Sequence, residues 1–580
     1  MVLLVLAPLL LGVVAYRLPL AWAKGALVLG QVVALAYTGY LFAPVAGGQS
    51  QVVDSLGGFF PYLYIELRGT SFSLGLVLMT GVLFLATSAW VVTHASNKLI
   101  LLLLALQGLC NGIFLTDDIF NLFVILEVVT IVLVLLNVFH RERRSIYDAL
   151  YYLIIQLVGM TFFLLGVAYV YRAFGQLSMN WIEIAGAAGM ADPTALAVAF
   201  ALILTGLALK VGLFPLFSYV PRFYGNPGAP VVVLLLSSAL ISTAAIYWIG
   251  RVYYAFGWHA VGSHALSGAR ALLVALGLLT AVGGAAKALA QRNILLVLAF
   301  STVSQSGLAL LALANHPAGF LSHLFTHAVA KALLFLGALL LVERYGTTDV
   351  RELRAVVFRE PLAALALLVG GLSLIGVPLT AGSTSKYLIM EVGTSGLDQA
   401  LVWVVTVGTV LIIAKLLLPI KVVGANETIR ARAALPKNLR LRNSADHAVV
   451  VPEKGNAGAR GAFRDLSDGA LSQRFVEAAI VVLALLVLLG GLLGPWAMRA
   501  GLGYWYPISA GALALKGVQL AVLIAAVLAA RAYIPTRWWA RAATPLSDSL
   551  ALPDACLALA AFFACVIAYL LVAPTLGVGA

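Results

Sequence analysis

Residues 318–342 read AGFLSHLFTHAVAKALLFLGALLLV. As a helix rising 1.5 Å per residue, this stretch reaches ~38 Å, enough to cross the ~30 Å hydrocarbon core of a bilayer. Three ionisable groups interrupt the apolar run: His323, His327 and Lys331, spaced i, i+4, i+8, which stacks them on one helical face. A lysine near the bilayer centre costs ~3 kcal/mol on insertion scales, so such a face points into a hydrated interior rather than into lipid. Two histidines a turn apart could hold zinc, but the glutamate of an H-E-x-x-H motif is absent and Lys331 would repel a cation. A file of titratable groups is better suited to handing on a proton, because histidine titrates near neutrality.

The rest of the chain is written for the same solvent. Of 580 residues, 62% are hydrophobic and 10% charged, with mean hydropathy +1.04. A soluble globular protein has ~45–50% apolar and ~25% charged residues. A soluble enzyme, a nucleic-acid binder and a disordered scaffold are excluded, and the continuous apolar runs exclude a β-barrel. Cys110, Cys556 and Cys565 all lie in apolar runs without a C-x-x-C, so neither an iron–sulfur cluster nor a covalent haem is expected. No metal, no cofactor and no catalytic residue is expected. Met1 to Ala15 is apolar at once, with no basic leader, and reads as a retained first span.

About sixteen spans are expected, at 1–16, 25–43, 72–93, 99–115, 119–139, 149–172, 194–224, 230–256, 270–290, 293–314, 318–342, 361–397, 400–423, 476–498, 510–530 and 552–573. With the N-terminus outside, the inward loops hold 25 Lys plus Arg and the outward side five. The positive-inside rule then places both termini on the outer face and explains the net charge of +13 without nucleic acid. The polar stretch 424–475 reads as a cytoplasmic insert, a solvated spacer or a docking surface for another subunit.

Six lysines and one glutamate fall inside apolar runs: Lys210, Lys287, Lys331, Lys386, Lys415, Lys516 and Glu127. Snorkelling from a helix end is the plain alternative, most of all for Lys287, Lys415 and Lys516. Glu127 lies about nine residues into its span, ~13 Å deep. Asp117 and Asp118 precede it in a very short turn and read as loop charges. Lys210 is followed by Pro215, Pro221 and the run Gly225-Asn226-Pro227-Gly228-Ala229-Pro230; Lys386 follows Gly376, Pro378 and Gly382. Proline breaks a helix, and in lipid a break is tolerated only where the freed carbonyls line a cavity or meet protein. Two broken segments, each with a buried lysine, are the sequence pointer to a transport site in an inverted repeat.

These residues resemble the antiporter-like subunits shared by Mrp-type cation/proton antiporters, respiratory complex I and energy-converting membrane-bound hydrogenases. Asp118-Ile119-Phe120-Asn121-Leu122-Phe123 with Glu127 looks most like the Mrp branch of that family, its D-type subunits. Lys210 to Pro215, then Pro221 to Pro230, resembles the family's broken seventh helix, and Gly376 to Lys386 its broken twelfth. Ser301-Thr302-Val303-Ser304-Gln305-Ser306-Gly307 resembles its S-T-x-S-Q-x-G signature, and His323, His327 and Lys331-Ala332-Leu333-Leu334-Phe335 its H-x-x-x-H-x-x-x-K-A-L-L-F signature. The likeness spans roughly 70–425. Where the family reads D-I-K-R this chain has Asn293-Ile294-Leu295-Leu296, and Thr243 stands where the Mrp branch often has a lysine.

The resemblance implies an all-α polytopic membrane protein with about fourteen core transmembrane helices and about two more C-terminal. N-terminal helices would occupy 1–115. Two inverted five-helix repeats would cover 116–256, broken near 210–230, and 257–423, broken near 376–390. The insert 424–475 and C-terminal helices 476–580 would follow. It implies proton-carrying roles for Glu127, Lys210, Lys331 and Lys386, to which the i, i+4, i+8 file adds His323 and His327. Lys287, Lys415, Ser304 and Gln305 are candidate relay groups. Glu127 is expected to pair with Lys210, since an opposite charge within ~4–6 Å alters how tightly a group holds its proton. The expected function is a proton-translocating, non-enzymatic subunit of a multisubunit prokaryotic inner-membrane complex, most simply Mrp-type Na⁺/H⁺ antiport. Its partners would be other membrane subunits, protons and Na⁺. The alternatives are a pumping subunit driven by redox partners, as in complex I or a hydrogenase, and a proton-driven subunit of inorganic-carbon uptake. A membrane glycosyltransferase would need a long outer loop with paired acids, whereas 44–71 holds only Asp54 and Glu66.

Overall fold

A computed structural model describes residues 1–56, 65–94, 96–139, 143–190, 192–226, 229–256, 264–315, 317–391, 396–417 and 469–502, with four isolated positions between 518 and 525. The chain begins with α1 (Val2–Arg17) and α2 (Leu20–Ala46), then an antiparallel hairpin of β1 (Val52–Leu56) and β2 (Ile65–Gly69) that pairs Val52 with Gly69 and Leu56 with Ile65. Next come α3 (Ser71–His94), α4 (Asn97–Leu115), α5 (Ile119–Asn137), α6 (Arg143–Phe174), the short α7 (Met179–Ala187), α8 (Pro193–Val211) and α9 (Val220–Tyr224). A single buried span follows, made of α10 (Val231–Leu236), a π-turn (Ser237–Ile241) and α11 (Ser242–Ala255). The remainder is α12 (His264–Ala290), α13 (Ile294–Asn315), α14 (Pro317–Tyr345), α15 (Val350–Val356), α16 (Pro361–Ile375), α17 (Ala381–Glu391), α18 (Gly396–Leu417) and α19 (Gly469–Leu502).

Among the described residues, 12 helices are long and apolar enough to cross a membrane, or 13 if the bent pair α15–α16 counts as one span. The first fourteen expected spans all fall on helices, and both long interrupted ones are broken. Of the insert expected at 424–475, residues 424–468 lie outside the described residues and 469–475 already belong to the helix that runs to 502; the span expected at 552–573, Lys516 and all but four positions of the span expected at 510–530 also lie outside them. The chain is an all-α, multi-pass membrane protein whose one small sheet, among the described residues, is the hairpin.

One local plan occurs twice, and side-chain caps explain it. Asp118 caps α5 by accepting from the Asn121 amide at 2.7 Å, and Asn293 caps the start of α13 by accepting from Leu295 at 2.9 Å. The long helix that follows ends in a left-handed glycine, Gly175 (φ 65°) or Gly346 (φ 63°). A short helix then starts behind a cap, Ser178 or Asp349, which forms a β-bridge to residue Asp118 or Asn293. The next helix opens on a proline, Pro193 or Pro361, and stops at another left-handed glycine, Gly212 or Gly376. Glycine is required at both stops, because an L side chain at positive φ is strained. At Gly376 a Cβ would also lie 2.8 Å from the stem of Lys386.

The most deeply buried spans are Val231–Ala255 and α13, while α2 keeps most of its surface outside. Tight contact between α12 and α13 depends on Gly277, Gly284 and Gly307, where an added Cβ would meet the facing backbone at 2.4–2.8 Å. In a bilayer, close approach of small residues replaces the hydrophobic drive for helices to associate.

Candidate functional site

Lys210 occupies the last turn of α8, one residue before the chain breaks, and its side chain is buried. Its Nζ donates to the Leu126 carbonyl of α5 at 3.2 Å and to Thr130 Oγ1, which itself donates to Leu126 O at 2.8 Å. Glu127 follows Leu126 directly. It is half-buried, and its Oε1 is buried without a hydrogen-bond partner. Among the described residues no ion pair joins Glu127 to Lys210, contrary to the expected pairing. The ammonium takes neutral acceptors instead, within a turn of the carboxylate and close enough to feel its charge. The break itself is well tied. Tyr219 donates to the Lys210 carbonyl at 2.9 Å, and the Phe214 amide donates to Thr280 of α12 at 3.1 Å. Pro215 sits in this break behind a cis peptide bond.

Lys331, on α14, is fully buried. Its Nζ donates to the Leu298 carbonyl of α13 at 3.1 Å and to Ser301 Oγ, which donates to Leu298 O at 2.9 Å. One and two turns earlier on α14, the rings of His327 and His323 stack at 6.0 Å between centroids. His323 Nδ1 lies 3.1 Å from Ser385 Oγ on α17, while the Nε2 atoms of both histidines are buried without a protein partner. Buried polar atoms of this kind call for ordered water. Next to Ser385, Lys386 donates to Thr406 Oγ1 on α18 at 2.8 Å. Pro378 lies in the break between α16 and α17, beside Leu379, which has φ 70°.

The candidate relay groups divide. Gln305 donates to Thr409 at 2.9 Å and keeps its Oε1 buried and unpartnered, beside Ser304, which donates to the Ala281 carbonyl at 2.8 Å. Lys287 is buried with its Nζ 6.0 Å from the centre of the Phe217 ring. Lys415 donates to the carbonyls of Ala288 (3.2 Å), Leu289 (2.7 Å) and Gln291 and so caps the C-terminal end of α12. Leu295, at the position of the family's lysine, is buried and apolar, and Thr243 donates to its own helix at Ala239 O.

Several hydroxyls that complete the site were not singled out from sequence: Thr130, Ser385, Thr406, Ser238 and Tyr219. Ser238 lies in the π-turn, 2.5 Å from Thr302, the neighbour of Ser301. π-turns gather at functional sites, and the cluster Ser237-Ser238 with Ser242-Thr243 inside an apolar span was the available signal. Asp117 does lie in the turn between α4 and α5, but it is not a solvated charge. Its carboxylate is fully buried and lies 2.8 Å from Arg251 Nη2 and 3.5 Å from Arg68 Nε. A short turn need not be a wet one when two arginines from distant segments converge on it. Asp118 is the α5 cap, and burial, with the charge of the neighbouring Asp117, raises its carboxyl above the ordinary range.

Chemically the arrangement offers three buried ammonium groups on carbonyl and hydroxyl acceptors, one acid and two imidazoles. Such groups can exchange protons. Among the described residues no group of three or more His, Cys, Asp or Glu is placed to hold a metal.

Comparison with known proteins agrees with this architecture. The N subunit of NADH-quinone oxidoreductase from Desulforudis audaxviator is 35% identical over 55% of this chain and 61% of its own length. The D subunit of the Na(+)/H(+) antiporter from Alkalihalophilus pseudofirmus is 32% identical over 48% of this chain and 56% of its own. The matches thus span about three fifths of these relatives' lengths. A chain in the Mrp complex from Dietzia shares the fold, with TM-score 0.71 and 24% identity over 89% of this chain and 98% of that one. Residues 116–412, just over half the chain, match the profile of one family, and the protein accordingly belongs to the NADH:quinone oxidoreductase/Mrp antiporter transmembrane family.

Proposed function

We propose that this chain carries protons across the membrane as one subunit of a larger membrane complex, of the Mrp cation/proton antiporter kind. One observation carries the reading. The unpartnered carboxylate oxygen of Glu127 lies beside the neutral acceptors that hold Lys210. The two groups are near enough to sense each other's charge and are not locked together. A locked pair would stay ionised and idle; a poised one trades a proton when Lys210 swings from Thr130 to Glu127. The backbone of the break is tied, so the swing belongs to the flexible four-carbon stem of the Lys210 side chain.

From Lys210 the proton would proceed by hydroxyls and water toward Ser238 and Thr302, to Lys331 beside Ser301, and on by His327 and His323 to Ser385 and Lys386. We further propose that the two copies of the local plan stand in opposite senses in the membrane, because α13 is the fifth span after α5 and an odd number of crossings reverses direction. The Asp117 end of α5 would then face outward.

The test is ΔpH-driven transport in vesicles holding the whole complex. Glu127→Gln and Lys210→Ala each abolish it in this reading, and normal rates in both variants would falsify it. The 35% identity to a quinone oxidoreductase subunit supports a second reading, in which redox partners drive the same path. Transport that follows an imposed sodium gradient without any electron donor favours the antiporter; transport only during electron flow favours the pump.

A further inference from the structure

We propose that Asp117 is a positioning residue for Glu127: it clamps the start of α5 to the hairpin, α7 and α11, and so sets where the Glu127 carboxyl stands relative to Lys210. The inference rests on the proton-carrying reading above.

Asp117 is 0% exposed and engages three other segments. Its Oδ1 accepts from Arg251 of α11 at 2.8 Å, with Arg68 Nε of β2 at 3.5 Å. Its Oδ2 accepts from Ser178 Oγ at 2.9 Å and from the Asn180 amide at 3.2 Å, at the start of α7. Its own amide donates to the Glu66 carbonyl at 2.9 Å, and its carbonyl accepts from the Met179 amide at 2.7 Å. The arginines are held in turn. Arg251 also donates to the Thr116 carbonyl at 3.2 Å and lies over the Trp248 ring, and Arg68 bonds Glu66 and Gln51. A carboxylate buried this thoroughly is retained only when its partners are fixed, and removing it would take the close counter-charge from Arg251 and leave Arg68 with Glu66.

Glu127 lies ten residues further along α5, ~15 Å on an unbroken helix. No glycine or proline interrupts 119–137, so a shift at Asp117 is carried to Glu127 undiminished. The far end of α5 is pinned too: Asn137 is bonded to Asn226 and donates to the Phe223 carbonyl at 3.2 Å. With both ends of α5 held, the movable member of the pair is the flexible side chain of Lys210. The charged and titratable groups around Asp117 are Glu66 and Arg68 on the hairpin, Asp118, Glu183 on α7, and Tyr247 and Arg251 on α11. Those facing Glu127 are Lys210 on α8 and Tyr152 on α6.

The experiment measures ΔpH-driven transport against pH in proteoliposomes of the whole complex, normalised to assembled subunit. Asp117→Asn is expected to lower the rate about 10- to 100-fold, the scale of a misplacement near 1 Å, and to displace the pH midpoint of the remaining activity. An unchanged rate overturns the proposal. So does a lower rate with an unmoved midpoint, because that is what a purely structural clamp would give. Ser178→Ala removes one bond to the same carboxylate and serves if Asp117→Asn does not assemble: a displaced midpoint supports the proposal and an unmoved one overturns it. Glu127→Gln runs alongside. Full activity there defeats the proton-carrying reading itself, whereas a dead Glu127→Gln beside a normal Asp117→Asn defeats only this inference.

Discussion

Lys210 and Lys331 are held by the same device. Each ammonium takes one backbone carbonyl and one hydroxyl from a neighbouring helix, and each hydroxyl is itself bonded back to that carbonyl. The difference is the next residue. After Leu126 comes Glu127; after Leu298 comes Ala299. The first lysine therefore has an acid within its field, whereas among the described residues the second is held by the Leu298 carbonyl and the Ser301 hydroxyl, with the two histidines on its own helix. An acid can hold or release a charge beside the lysine and so change its proton affinity. Neutral acceptors cannot, so in the proposed path Lys331 would pass protons on while Lys210 would be switched.

The breaks differ as well. The one after Lys210 is closed from within the same bundle of spans, by Tyr219 and Thr280. The one before Lys386 is covered by a later helix: a Cβ at Gly491 of α19 would stand 2.4 Å from the Leu379 carbonyl, and Gly490 faces Ala381. The second break thus depends on a helix that enters the chain only after the polar insert.

The largest effect that could break this comparison comes from the charged groups. Moving the acid, by Glu127→Ala together with Ala299→Glu, should leave transport as low as in Glu127→Ala alone, about 10²–10⁴-fold down, the usual worth of a positioned acid–base group. Recovery of the rate would mean that the halves are interchangeable and the asymmetry argued here is wrong. Next in size is Gly491→Leu, which forces α19 away from the second break. Overpacking of this kind costs about 1–3 kcal/mol, and the loss should appear as a lower melting midpoint in detergent. A midpoint equal to the parent's would show that α19 does not press on Leu379. Thr130→Val and Ser301→Ala each strand one ammonium hydrogen, at about 1–3 kcal/mol apiece. Equal destabilisation in both halves is expected if the two devices are equivalent, and a twofold disparity in urea-unfolding free energy would show that they are not. The smallest effect is Lys415→Met, which removes a helix cap worth about 0.3–2 kcal/mol. Stability should fall slightly while vesicle transport stays at the parental rate; a dead transporter would return Lys415 to the relay.

Much of this could be read in advance from the order of residues. Apolar runs marked the first fourteen spans, because a backbone in lipid has to satisfy its own hydrogen bonds and a helix does so within one segment. Pro215 with Pro221, and Pro378 with Gly376, marked both breaks, since these residues act on the backbone locally. Lys210, Lys331 and Lys386 were conspicuous because a charge in oil is costly wherever it points. The partners of those charges were not legible. Thr130 looks like any threonine in an apolar helix, and Asp117 like any acid in a turn, until Arg68 and Arg251 arrive from 49 residues before and 134 after.

Sequence alone determined that this chain lives in a membrane, where its spans lie, where they break and which groups are too costly to be accidental. Each of those follows from side-chain solvation or from local backbone geometry. Tertiary structure alone decided which acceptor each lysine takes, that Glu127 stands free beside Lys210, that Lys415 ends a helix, and that Asp117 is buried. Those depend on which helix faces which, and packing between segments far apart in the chain leaves no periodic mark along it.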